Sequence, residues 1–448
     1  MCILCFLDNL HQHAIRENVQ LRSDRFEHSL IKYKFSFIHD YENSLSSRLC
    51  TKHNSPENTY ITDFFKNLDI GKIINFFEAL TKSYLFWIDA QPSKSLKTLK
   101  DILNEHNVLT VTSKLDYQIF YRGRISNDFL SHWDMFHIPF NRRFLIGNQR
   151  YSLVGQPLLY LSTSPYCIIK ELNYEFDNET NLQISSFRFC EIKENKKCIC
   201  FDNTNHFYEI ITDTTKKTNT KIPPVKVSDE TLEKYFFQFI LSCCCSFKRV
   251  SDYKWNFCEE YVLPQLLAQL VKQKKYSGII FTSTKAYTNK TLCENPELYN
   301  YLFKNVCLFT NYTLNKSDDV TFVYDKELYK KFIISTTMLY ENNFFNTSSS
   351  TFLLDLIRKI LSLLESPNLD EYNSNILEEI GAILIEIVKT LDKYNNNNNN
   401  SDNNNVDDTI DDILKSSIYL HIYLLKNIIL NINDNLLKCR LSKEGHKC

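Results

Sequence analysis

Two arginines, a tyrosine, a glutamate and a serine stand in two short blocks of this 448-residue chain. The first block runs through Tyr121-Arg122-Gly123-Arg124, Gly147-Asn148-Gln149-Arg150-Tyr151, Gly155-Gln156-Pro157-Leu158-Leu159-Tyr160 and Glu171. The second holds Tyr261-Val262-Leu263-Pro264-Gln265-Leu266-Leu267, then Gly278-Ile279-Ile280-Phe281-Thr282-Ser283. Arg122 ends an apolar run, Ile119-Phe120-Tyr121, where a guanidinium is either a snorkelling surface group or an anion site. Arg150 follows a glycine turn. Two guanidinium groups can clamp a pyrophosphate through charge-assisted, often bidentate bonds, which requires Arg122 and Arg150 to share one cleft. Arg124 is the reserve, two positions along the same strand. Tyr160 closes a second apolar run and can stack on a flat heterocycle. Glu171 sits in an apolar helical segment with Ile168, Ile169 and Leu172. It reads either as the ordinary charge of a helix exterior or as a carboxylate stabilising positive charge on a sugar carbon. Spacing alone does not choose between these readings.

The elements that must position these residues are marked by glycine. The chain has seven glycines, well below the usual ~7%, and Gly123, Gly147, Gly155 and Gly278 fall in the two blocks. Glycine permits close backbone approach and unusual turns. Short β-rich runs at Tyr117–Arg122, Leu158–Ser162 and Gly278–Ser283, separated by turn residues, indicate a mixed α+β region over 116–330. Residues 1–115 read as helical, with Ser55-Pro56-Glu57 as a helix start and Ile73, Ile74, Phe77, Leu80 and Tyr84 at helical spacing. Residues 340–394 also read as helical. Asn395–Asn405 is a polar run expected to be a disordered linker, and a last helix is expected over 406–440. The polar stretch within about 173–258 reads as an insertion.

Composition narrows the classes. Apolar residues make up 43% and aromatics 14%, enough for a sizeable core, and the length asks for two or three units. The net charge of −1 speaks against a dedicated nucleic-acid binder. The first twenty residues lack a basic region followed by an apolar core, so no signal peptide is expected. The 15 cysteines, with Cys243-Cys244-Cys245 in a row, then read as buried small hydrophobes in a reducing, cytoplasmic compartment. Cys2 and Cys5 form a C-x-x-C, but a structural zinc takes four ligands and no second C-x-x-C lies nearby, so no metal is expected. His137, between Phe136 and Ile138, reads as a core or cleft-wall histidine rather than a ligand. The most apolar stretch, Ile410 to Ile432, carries Asp411, Asp412, Lys415, His421 and Lys426, so no membrane span is expected.

As an ordered set, the two blocks resemble the RES-domain family, named for an arginine, a glutamate and a serine. An aromatic-Arg, a Gly-x-x-Arg-aromatic turn, a Gly-x-Pro-x-Leu-Tyr strand, a glutamate some ten residues on and a Gly-Ile strand ending in serine match Arg122, then Gly147, Arg150 and Tyr151, then Gly155, Pro157 and Tyr160, then Glu171, then Gly278 and Ser283. Met135-Phe136-His137-Ile138-Pro139-Phe140 and the Tyr-x-x-Pro-Gln-Leu-Leu helix resemble a long bacterial branch. The resemblance implies a small split mixed sheet of ADP-ribosyltransferase-like type, with helical extensions at both ends. It implies cleavage of the nicotinamide–ribose bond of NAD, which is the substrate rather than a resident cofactor. Phosphate or water is the implied acceptor. In that scheme Arg122, with Gly123 beside it, and Arg150 take the pyrophosphate. Tyr160 and Ser283 take the nicotinamide end, Tyr151 is a further NAD-binding residue, and Glu171 acts on the ribose, with Glu171, Arg150 and Ser283 as the implied catalytic set. Many members are toxins held by an antitoxin, so a protein partner on the helical extensions is expected. Transfer of ADP-ribose to a macromolecule, and a non-catalytic interaction scaffold, remain open as alternatives.

Overall fold

The computed structural model describes residues 1–8, 25–51, 56–110, 112–115, 119–128, 130–174, 180–189, 197–201, 228–249, 257–285, 303–312, 323–335 and 337–339. The helices expected over 340–394 and 406–440, and the asparagine-rich run between them, lie outside these residues. In chain order the helices are α1 (Ile3–Asp8), α2 (Phe26–Leu45), α3 (Pro56–Asn67), α4 (Ile70–Ile88), α5 (Pro92–Glu105), α6 (His132–Met135), α7 (Pro165–Leu172), α8 (Asp229–Cys244), α9 (Val262–Gln273) and α10 (Lys326–Tyr329). The strands are β1 (Thr112–Lys114), β2 (Ile119–Ile125), β3 (Leu158–Ser162), β4 (Leu182–Phe189), β5 (Lys197–Phe201), β6 (Gly278–Thr282), β7 (Lys304–Phe309), β8 (Phe332–Ile334) and β9 (Met338–Leu339). The class is mixed α/β, and the chain divides into two compact units.

The larger unit comprises Met1–Leu115, Phe136–Thr163 and Ile192–Lys331. Its helices begin where the sequence supplies caps. The Asp69 side chain accepts from the Gly71 N–H at the start of α4, and Ser228 caps α8 with Asp229 and Glu230 in its first turn, where acidic groups suit the helix dipole. Ile73, Phe76, Phe77, Leu80 and Tyr84 form the buried stripe of α4. From Phe236 to Cys244, α8 is buried all round, the pattern of an internal helix. Burial pushes the Cys245 thiol up to about 12. The cysteine triplet is therefore protonated, apolar packing at neutral pH. Phe236 meets Phe37 and Tyr41 of α2 and Phe65 of α3 through ring contacts of 5.1–6.0 Å. One core thus joins the N-terminal helices to α8, α9 and the strands.

Strands in this unit run in the order β1-β5-β6-β7-β3. The β5–β6 pair is parallel and the rest are antiparallel, so the sheet is mixed. A parallel pair needs a crossover connection, and α8 and α9 lie in it. All five residues of β6 are buried. Gly278 begins that strand because a Cβ there would lie 2.2 Å from the Cys307 carbonyl oxygen of β7. The stretch read as an insertion contributes β4, β5 and α8.

The smaller unit comprises Asp116–Met135, Ser164–Glu191 and Phe332–Cys448. In it β2 pairs antiparallel with β4, and β4 pairs with β8 and β9. Ser164 caps α7, Pro165 occupies its first turn, and Asn173 ends it in the left-handed conformation, as a C-cap requires. A Cβ on Gly123 of β2 would lie 2.4 Å from Ile168 Cγ2 of α7. Glycine there lets the helix lie directly on the strand.

Candidate functional site

In the larger unit, the glycine turn before β3 is built from the inside by α9. Gln265, 7% exposed, donates through Nε2 to Asn148 Oδ1 at 2.6 Å, the Gln149 carbonyl at 2.9 Å and the Ser152 carbonyl at 3.0 Å. Arg150 leaves this turn and enters the protein. Its Nη1 donates to the Cys245 carbonyl at 2.7 Å, and its Nη2 to the Phe247 carbonyl at 3.1 Å and Thr284 Oγ1 at 3.0 Å. Its guanidinium carbon lies 4.9 Å from the centre of the Tyr261 ring, within cation–π range. The guanidinium therefore fixes the end of α8 and the end of β6 against one turn.

Ser283 follows β6 directly and is 1% exposed. Its N–H donates to the Phe303 carbonyl at 2.7 Å, and its Oγ accepts from the Lys285 N–H at 3.2 Å. The Tyr160 hydroxyl accepts from the Tyr151 N–H at 3.3 Å, and the Tyr151 ring packs 4.6 Å from that of Phe281. Burial first, then the nearby Cys307, raise the Tyr160 phenol well above its ordinary value. It stays protonated at neutral pH. Arg150, Tyr151, Tyr160 and Ser283, which span 134 positions of sequence, are thus gathered around the ends of β3 and β6.

The smaller unit holds the remaining expected residues. Gly123 turns its missing side chain towards α7, so strand alternation puts Arg122 and Arg124 on the other face of β2. Burial and then the Arg124 charge lower the Arg122 guanidinium to about 9, which leaves it cationic at neutral pH. Glu171 is half-buried. It stands one turn beyond Ile168, towards the side of α7 that meets β2.

His137 is fully buried. Its Nε2 accepts from the Asp325 N–H at 2.9 Å, so the ring proton is on Nδ1, 2.8 Å from the Ile138 carbonyl. Of the two places expected for it, core or cleft wall, His137 occupies the core. Gln265 and Thr284 were not singled out as site-building residues. An amide within an otherwise apolar helix turn was the available signal for Gln265. A cavity of about 360 Å³ between α3, α4 and α8 is lined by Tyr60, Asp63, Lys72, Asp229 and Glu233 among others, and contains none of the motif residues. Among the described residues, Cys2, Cys5 and Cys50 form the group suited to hold a metal ion. No described helix is long and apolar enough to cross a membrane.

No family model matches the sequence, and no solved structure is significantly similar to it. A curated Bacillus subtilis (strain 168) protein named "Putative toxin YopC" is 30% identical over 256 residues, 53% of this chain and 54% of that protein. The chain spans about half the length of this relative.

Proposed function

We propose that this chain is a toxin-type enzyme of RES-like character that cleaves the nicotinamide–ribose bond of NAD, with phosphate or water as acceptor. One observation carries the reading. Motif segments more than a hundred residues apart are tied together by dedicated polar side chains: Gln265 on the Asn148–Ser152 turn, and Arg150 on the residue next to Ser283. Packing alone does not call for an amide group that reaches three acceptors and a buried guanidinium at one turn. The named relative supports the toxin part of the reading.

In this scheme Arg122, half-buried and beside Arg124, takes the pyrophosphate. Arg150 has its Nη groups on protein acceptors and serves as a positioning residue for the turn and the Ser283 end. Tyr160, protonated and rigid, packs on the nicotinamide, with Tyr151 behind it and Ser283 at the amide end. Glu171 holds the ribose and stabilises the oxocarbenium-like charge, an effect that preorganised groups supply with little reorganisation. The sheet is assigned to the ADP-ribosyltransferase-like type on the same grounds.

The test is incubation of purified protein with NAD, with and without phosphate, followed by product identification. Release of nicotinamide is expected. In Glu171→Gln, binding of NAD should persist while turnover falls by roughly 10²–10³, the scale for losing one electrostatic contact. Near-normal NAD consumption by that variant would remove Glu171 from the chemistry. A wild-type protein that neither binds nor cleaves NAD would overturn the proposal.

A further inference from the structure

Cys2 precedes α1 and Cys5 stands one turn along it, so their side chains share a face. Cys50 arrives from the irregular segment after α2, 45 residues further on. The three Sγ atoms are 3.5, 3.6 and 3.9 Å apart. Three thiolates on a tetrahedral ion with metal–sulfur bonds of about 2.3 Å would be separated by about 3.8 Å. The triangle is therefore close to one face of such a tetrahedron. A disulfide would draw two of these atoms to about 2.05 Å and leave the third out. Near-equal spacing of all three is what coordination asks for.

The surroundings favour a site rather than a chance meeting. Cys2 is 2% exposed, while Cys5 and Cys50 are half-buried, so the group has a dry floor and an open side. The helix that carries Cys5, with Cys2 just before it, has six residues, too few to persist on propensity. Its Ile3, Leu4, Phe6 and Leu7 are nonetheless almost wholly buried, with the Phe6 ring against those of Phe37 and Tyr41. A cross-link between α1 and the end of α2 would hold this short helix on the core.

We propose that Cys2, Cys5 and Cys50 bind one soft divalent cation of the zinc class. Thiolate ligands select zinc over magnesium or calcium. Each thiol that ligates gives up its proton to solvent, and the three thiolates supply three of the four positions of a tetrahedral ion. The ion is a staple for the N-terminal helices and takes no part in NAD chemistry, so this proposal stands apart from the enzymatic one.

The probe is cobalt(II), added to the full chain after chelation and reduction. The expected result is sulfur-to-cobalt charge-transfer absorption with tetrahedral visible bands, saturating at about one equivalent and abolished by zinc. Cys50→Ser should weaken binding by about tenfold or more, since even losing an outer-sphere partner costs ~10–100-fold. Cys258→Ala, which removes a buried thiol outside the triangle, should leave binding unchanged. If Cys50→Ser does not fold, the wild-type titration decides alone. Absence of thiolate absorption in the wild-type protein overturns the proposal. So does equal affinity in Cys50→Ser.

Discussion

Replacing Arg150 by lysine separates its two conceivable duties. The guanidinium makes three charge-assisted hydrogen bonds, to the Cys245 and Phe247 carbonyls and to Thr284 Oγ1, and Arg150 is only 9% exposed. Each such bond contributes ~1.5–3 kcal/mol. A lysine ammonium is a single point on a flexible stem and cannot reproduce the fork. It keeps one bond and loses two, a gross cost of about 3–6 kcal/mol. Water entering the vacated volume recovers part of this, so the expected loss is about 3 kcal/mol, or some 5–10 °C in melting temperature for a domain of this size. Calorimetry or denaturant titration measures it. A loss below ~0.5 kcal/mol, the scale of an ordinary surface change, would refute the clamp. Kinetics give the second arm. A positioning residue should lower kcat with little change in KM, because the Ser283 end is displaced while the NAD contacts remain. A rise confined to KM would instead place the guanidinium on the substrate.

Gly278→Ala puts a methyl 2.2 Å from a backbone carbonyl of the neighbouring strand and should destabilise by about 3 kcal/mol or more, whereas Gly147→Ala, with nothing within 4 Å, should stay within ~0.5 kcal/mol in the same melt. Glu233 is buried in a way that raises its carboxyl, but hydrogen bonds from Lys72 and His106 outweigh this and leave it below the ordinary value. Its folded pKa is depressed, so its contribution is present above the usual glutamate pKa of ~4.3 and fades as pH falls through the lower folded value. Glu233→Gln should therefore cost stability in melts near pH 6 and progressively less as the pH falls below the usual glutamate range; a cost that does not change with pH would refute the linkage.

The strands that carry the motifs were legible because each is a short apolar run ended by a marked residue. Leu158–Ser162 matches β3, and Gly278–Ser283 exceeds β6 by one residue. β2 was read as ending at Arg122 but continues to Ile125, since β4 supplies a partner as far as Leu182 and pairing carries Gly123 and Arg124 along. β4 and β5 were hidden in a stretch read as an insertion. Ser185, Ser186 and Arg188 make β4 look polar, although all three are buried; its neighbours, not its composition, decide that. The fixed duty of Arg150 was hidden for the same reason, because two of its acceptors are backbone carbonyls, which no side-chain pattern records. Cys50 likewise carries no local sign of Cys2 and Cys5.

The shared core of the larger unit has a consequence for how the chain is made. Phe37 waits for Phe236, which leaves the ribosome 199 residues later. At ~5–20 residues per second, the aromatic face of α2 is without that partner for about 10–40 s. Throughout that interval a nascent chain presents Phe37 and Tyr41 without their ring partner on α8, and a chaperone that shields aromatic helices would meet it there. The unit cannot complete its core until α8 has emerged, so any activity that depends on this unit begins only after synthesis has passed Cys244.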